Sequence, residues 1–237
     1  MVQVKVTGDL LPSAKTLRIR FKKTGNLQYI SHLDLVRTFH KMLIRVGMPL
    51  WYTEGFNPKP KMIFAFSMSV GLQSECEFLD VKINRDLDAE SVKEALNLTS
   101  TDELVIEEVY FPETKFTDIR YADYVIDLEC EEYPENIEAL VKDILSAKPL
   151  LINKFTKAGE KEVDISPLVD KVTVHEIKDG HLEIELTLYS ENGNFLNPEY
   201  FITLLKERTG ILSGDLLKNR YTIMRKCAYG ADRKAFL

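Results

Sequence analysis

The run LRIRFKKTGNLQYISHLDLVRTFHKMLIRVG, residues 17–47, decides the fold. Leu17, Ile19 and Phe21 alternate with Arg18 and Arg20, the period of a strand with one buried face. Ser31 then stands three residues before Asp34, as a helix N-cap does, and Leu35, Val36, Phe39, Met42, Leu43 and Val46 recur at helical spacing until Gly47 ends the pattern. A strand followed by a helix over 31–46 opens the chain.

Working outward, a loop rich in Pro and Gly, Thr53 to Lys61, leads to two predicted strands, 61–69 and 76–83, joined through Gly71. Residues 88–98 read as a helix with acidic residues at its start, and 104–111 as a strand rich in Val and Ile. Strand, helix, strand, strand, helix, strand is the order of the ferredoxin-like split βαβ unit. The same order recurs downstream. Residues 121–129 read as a strand and 134–147 as a helix. A hairpin, 171–177 with 182–189, turns at Asp179-Gly180. Residues 198–209 read as a helix and 219–227 as a final strand, with 150–157 as a further strand. The expectation is an α+β chain of two tandem ferredoxin-like (split βαβ) modules with antiparallel sheets, 1–115 and 116–237, divided near 112–120, although no residue-level repeat is visible.

Composition bounds the function. The chain has 237 residues, 45% hydrophobic and 29% charged, which is ordinary for a globular protein. No stretch reaches the roughly 18 apolar residues of a membrane span, and the start of the sequence lacks a secretory pattern, so a cytoplasmic location and no membrane partner are expected. Cys76, Cys130 and Cys227 are far apart and not flanked by histidines at ligand spacing, which predicts reduced, structural thiols and no metal site. There is no CxxxCxxC triad for an iron–sulfur cluster, no GxxxxGK[ST], no GxGxxG after a strand, no HExxH and no GxSxG. No cofactor is expected.

The net charge of −6 argues against a simple nucleic-acid binder, yet the charge is unevenly distributed. Lys15 to Lys61 holds ten basic residues against Asp34 and Glu54, and Lys206 to Leu237 holds eight against three acidic ones, so the middle of the chain is strongly acidic.

Two segments carry the candidate chemistry: SHLD (31–34) with its flanks, and GFNPKPK (55–61). A strand-to-helix junction presents backbone N–H groups and the positive end of the helix dipole, which suit phosphate. Tyr29, His32, Arg37 and Lys41 would surround that end. In the loop, Pro58 and Pro60 restrict the backbone while Asn57, Lys59 and Lys61 project polar groups from it. Phe56 either stacks on a base or anchors the loop to the core. A plainer reading stands beside each: Ser31 and Asp34 as a helix cap, His32 as a partly buried histidine, and Arg37, Lys41 and Arg45 as a solvated stripe.

The run YISHLDLVRTFHKMLIRVGMPLWYTEGFNPKPKMIFAFSMSVGLQSECEFLDV, residues 29–81, resembles the radical SAM-linked protein family. The resemblance implies a bacterial domain fused to, or encoded beside, a cobalamin-binding radical SAM protein, often near genes for ribosomal proteins and a ribonuclease. The motif positions it carries over are Ser31, His32, Leu33, Asp34 and Arg37, then Gly55, Phe56, Asn57, Pro58, Pro60 and Lys61, then Gly71, Ser74 and Glu75. Lys59 stands where relatives commonly have histidine. The implied role is that of an accessory protein which binds or presents RNA or a ribosome-related substrate to a radical enzyme. The alternatives are a metal-independent endoribonuclease with His32 as general acid or base and Tyr29 or Lys61 beside the phosphate, and a purely protein-binding scaffold.

Overall fold

The computed structural model describes residues 3–66, 69–156, 159–190, 196–213, 215 and 218–237. The chain forms two compact units, Met1–Phe116 with Leu237, and Thr117–Phe236. Both are mixed α+β with antiparallel sheets.

In the first unit the elements run β1 (Val6–Lys23), α1 (His32–Arg45), β2 (Met62–Phe64), β3 (Leu72–Leu87), α2 (Ala89–Asn97) and β4 (Leu104–Tyr110). The strand order is β4-β1-β3-β2, every pair antiparallel. Alternation along β1 sends Leu17, Ile19 and Phe21 to one face, where all three are fully buried. Leu79 and Val81 lie opposite Ile19 and Leu17 on that same face. Phe39 of α1 covers it, its ring 4.6 Å from that of Phe21 and 5.7 Å from that of Phe64 on β2. Closing this cluster buries the Phe21 and Phe39 rings completely and part of the Phe64 ring.

The second unit runs β5 (Tyr121–Glu129), α3 (Ile137–Leu145), β6 (Leu151–Thr156), β7 (Gly159–Asp164), β8 (Val169–Val174), β9 (His181–Tyr189), α4 (Glu199–Thr209) and β10 (Arg220–Tyr229). Its main sheet has the order β10-β5-β9-β8, again antiparallel throughout, and β6 pairs with β7 alone. Ala122, Tyr124, Ile126 and Leu128 alternate inward on β5, as do Leu182, Ile184, Leu186 and Leu188 on β9. Asp179 and Gly180 both take positive φ, 53° and 83°, in the turn that brings Lys178 opposite His181. An Asp-Gly pair is suited to that turn because Gly carries no Cβ and Asp tolerates the left-handed region.

Several boundaries differ from the sequence reading. The strand over 17–21 is the centre of an 18-residue strand, because cross-strand pairing to β3 continues from Lys15 back to Val6. The strand over 61–69 shrinks to Met62–Phe64, and residues 67 and 68 of that expectation lie outside the described residues. The strand over 150–157 exists as Leu151–Thr156, but it belongs to the separate β6–β7 hairpin and not to the main sheet; residue 157 is outside the described residues. All three cysteines are free thiols, Cys76 and Cys130 buried. Among the described residues no helix is long and apolar enough to cross a membrane.

Candidate functional site

The start of α1 is a closed local network. The Ser31 hydroxyl accepts from the Asp34 backbone N–H at 3.1 Å and donates to its carboxylate at 2.7 Å, and Arg37 donates to the other carboxylate oxygen at 3.1 Å. These bonds, the hydroxyl first and the guanidinium second, hold the Asp34 carboxyl below its usual range. Asp34 and Arg37 are thus engaged with each other at the cap.

His32, the first helical residue, turns its ring edge-on to Phe64 at 5.3 Å. Its Nδ1 is shielded from solvent and has no hydrogen-bond partner among the described residues. Burial, then the nearby charge of Lys23, lowers its proton affinity, so the imidazole is neutral near pH 7. Tyr29 ends the preceding 3-10 turn, Gly25–Tyr29, with its ring largely exposed. Lys41 and Arg45 are exposed further along α1, about one and two turns beyond Arg37. Together with Leu27, Ile30, Leu35 and Met42 they line an apolar cleft of about 210 Å³.

The GFNPKPK segment is the tip of a short arm. Tyr52 pairs with Pro60, the Thr53 N–H donates to the Lys59 carbonyl at 2.8 Å, and the Lys59 N–H donates back to the Thr53 hydroxyl at 3.0 Å. The Lys61 N–H donates to the Trp51 carbonyl at 2.9 Å, and the Lys82 N–H to the Lys61 carbonyl at 2.9 Å, which ties the arm to β3. Gly55 has φ +118 at the tip, with open space around it. Phe56 is fully exposed. An aromatic that anchors a loop is buried, so the anchor reading of Phe56 is set aside.

The structure separates the two segments. Phe64 faces α1, so by strand alternation Lys61 points to the opposite face, alongside Lys82. Among the described residues no hydrogen bond, ion pair or ring contact joins Phe56, Asn57, Lys59 or Lys61 to Tyr29, His32, Arg37 or Lys41.

The basic run of the sequence also disperses in space. Arg18, with its side chain 0% exposed, binds Asp80 (17% exposed) through two hydrogen bonds, 2.7 and 3.0 Å, and lies 4.4 Å from the Phe116 ring. Glu107 receives both Arg20 at 2.9 Å and Lys22 at 2.6 Å, and Lys15 meets Asp86 at 2.8 Å. Near the other end, Lys218 pairs with Glu131, Arg220 with Glu129, and Arg233 with Asp170. Lys41, Arg45, Lys59 and Lys61 have no carboxylate within ion-pair distance among the described residues.

One cluster went unread in the sequence. On the second unit's sheet, the face away from the inward-pointing residues carries Asp127 and Glu129 of β5 and His181, Glu183 and Glu185 of β9, with His175 just past β8. His181 Nδ1 lies 3.0 Å from both oxygens of Asp127. A cavity of about 980 Å³ opens there, lined by Asp127, His175, His181, Glu183 and the 176–179 turn. The available signal was His181-x-Glu183-x-Glu185, a period of two that puts all three on one strand face.

Fold and surface together define a two-unit antiparallel α+β protein. Residues 16–198 match the family described as an uncharacterised protein conserved in bacteria, DUF2344, and the chain belongs to that family. No curated protein matches the chain. Among solved structures it is similar to a chain in an H/ACA ribonucleoprotein bound to a substrate RNA containing 2′-deoxyuridine, at 9% identity and TM-score 0.46, covering 88% of this chain and 46% of that one. A chain in a Cbf5–Nop10–Gar1 complex is similar at 10% identity and TM-score 0.48, covering 96% of this chain and 57% of that one. The chain thus spans about half the length of the solved chains it matches, and neither likeness bears on what it binds.

Proposed function

We propose that the chain is a non-catalytic accessory protein that presents RNA, or a ribonucleoprotein, to a cobalamin-binding radical SAM protein, with the Phe56 arm and the α1 stripe as its contact surfaces. In this reading each unit, divided as 1–115 and 116–237, is a ferredoxin-like module. The antiparallel order, fourth, first, third and second strand in each unit, supports that. The radical SAM partner rests on the resemblance of residues 29–81 alone.

The observation that carries the RNA reading is the arm itself. A fully exposed Phe56 stands at a tip held by proline and backbone hydrogen bonds, with Lys59 and Lys61 behind it lacking acidic partners among the described residues. Base stacking on an exposed aromatic contributes about 1–3 kcal/mol per base, and adjacent unpaired cations hold the backbone phosphates. On α1, Lys41 and Arg45 flank an apolar cleft that offers the same combination of apolar surface and positive charge. Tyr29 and His32 lie at the α1 start as further stacking surfaces, and Arg37 and Asn57 supply hydrogen-bond donors.

The scaffold reading has its own observation, the exposed acidic face of the second unit, which suits a basic protein surface. A pull-down from native lysate with the full chain, with and without ribonuclease, distinguishes the two. The expected result is a defined RNA recovered with a radical SAM protein, and loss of the RNA when Phe56, Lys59 and Lys61 are all changed to Ala. Recovery of protein partners that are indifferent to ribonuclease, with no RNA, would overturn the RNA reading in favour of the scaffold.

A further inference from the structure

We propose that His175, Glu183 and Glu185 form a binding site for one divalent first-row transition-metal ion on the exposed sheet face of the second unit. The strand register builds the set. Val174 lies opposite Ile184 and Thr173 opposite Glu185, and the His175 N–H donates to the Glu183 carbonyl at 3.0 Å. Val174 and Ile184 turn toward the core side, so His175, Glu183 and Glu185 rise together from the other face.

His175 Nε2 lies 3.4 Å from Glu185 Oε1 and 3.9 Å from Glu183 Oε1, and the three donor atoms are all within 4.8 Å of one another. With metal–ligand bonds of about 2.0–2.2 Å, donor atoms around a tetrahedral ion stand roughly 3.4 Å apart. The observed separations therefore need only a small rotation of two flexible Glu side chains. The His175 side chain is 43% exposed, yet its Nε2 atom is shielded from solvent and makes no hydrogen bond among the described residues. It lies within ion-pair distance of one carboxylate oxygen on each Glu, and an ion between the three groups would be held by all of them.

The surrounding charge favours a cation. Asp127 sits directly across from Glu183 in the β5–β9 register, and three carboxylates close together repel one another unless a positive charge intervenes. His181 is directed to Asp127 instead, which leaves His175 as the imidazole of the set. One imidazole nitrogen with two carboxylate oxygens suits Zn²⁺, Co²⁺ or Mn²⁺, whereas Ca²⁺ and Mg²⁺ take oxygen-only shells and Cu⁺ takes sulfur. Three protein ligands leave a coordination position open to water or an anionic group of a ligand, beside the 980 Å³ cavity that His175 and Glu183 help to line.

The test uses the untagged full chain, stripped with chelator and titrated with Zn²⁺ by calorimetry and with Co²⁺ by visible absorption. One ion per chain and Co²⁺ d–d bands are expected. Binding should weaken at least tenfold in His175→Ala and in Glu185→Gln, and by less than threefold in His181→Ala, which lies on the same face outside the set. Unchanged circular dichroism of the apo variants checks the fold, as expected for exposed positions. Absence of stoichiometric binding, or equal weakening in the His181 and His175 variants, would overturn the proposal.

Discussion

The sheet face of the first unit that carries Arg18, Arg20 and Lys22, and the sheet face of the second unit that carries Asp127, Glu183 and Glu185, occupy equivalent places in one strand order but differ in how their charges end. In the first, the cations meet acids on neighbouring strands, and Arg18 is buried completely with Asp80 beside it. In the second, Glu183 and Glu185 stay exposed beside His175, with no Lys or Arg at ion-pair distance among the described residues. Strand alternation decides which residues share a face, but whether a charge is neutralised depends on its cross-strand neighbour. A charged run in sequence is therefore no guide to a charged patch.

That contrast can be broken most forcefully at Asp80. Asp80→Ala leaves a fully buried guanidinium without its bidentate partner, and about 3–5 kcal/mol of stability should be lost, read as a lowered urea midpoint. Retention of the wild-type midpoint would mean that Arg18 is solvated and the faces are alike.

His32 sharpens the comparison on the other side of the first sheet. Its proton affinity is lowered in the folded state, so its contribution to stability is present above the ordinary value of 6.5 and is lost as pH falls through the folded value. The urea midpoint should therefore decline below pH 6.5, with a shallower slope in His32→Gln. An NMR titration that placed His32 at or above 6.5 would contradict the half-buried ring with its shielded Nδ1.

Ser31→Ala removes the α1 cap and should cost about 1 kcal/mol by the same denaturation assay. The smallest effect belongs to the second unit's surface: Arg220 and Glu129 are both solvated, so Glu129→Gln should leave the urea midpoint unchanged within error. A shift comparable to that of Asp80→Ala would erase the distinction.

Much of the fold was legible because its signals are local. The α1 helix needed only a serine cap, an apolar stripe and Gly47, and the β8–β9 hairpin only an Asp-Gly turn between alternating runs. The first half of β1 was not legible: Gly8 and Pro12 interrupt any alternation there, and the strand is held by pairing with residues far along the chain, such as Val6 with Leu87 and Leu10 with Arg85. Likewise β7, Gly159–Asp164, is mostly exposed and polar, and exists through its register with β6.

The candidate site shows the same division. That Ser31 caps α1 could be read from spacing, as could the solvated stripe of Lys41 and Arg45. The exposure of Phe56 could not, because a Phe between Gly and Asn is equally consistent with an anchor, and only the position of the arm decides. Nor could the pairing of Arg20 and Lys22 with Glu107, since a register shift between Arg20 and Phe21 inserts that carboxylate.

The central claim is that the cations without acidic partners, and not the basic run as a whole, hold a nucleic-acid backbone. The most direct test measures binding of a fluorescein-labelled single-stranded RNA against salt concentration for two double variants that change net charge equally, Lys59→Gln/Lys61→Gln and Lys15→Gln/Lys22→Gln. Each lost phosphate contact lowers the slope of log K against log salt by about 0.7. The first variant should therefore flatten the slope by about 1.4, and the second should leave it at the wild-type value. Equal flattening in both variants, or wild-type binding that ignores salt, would contradict the claim.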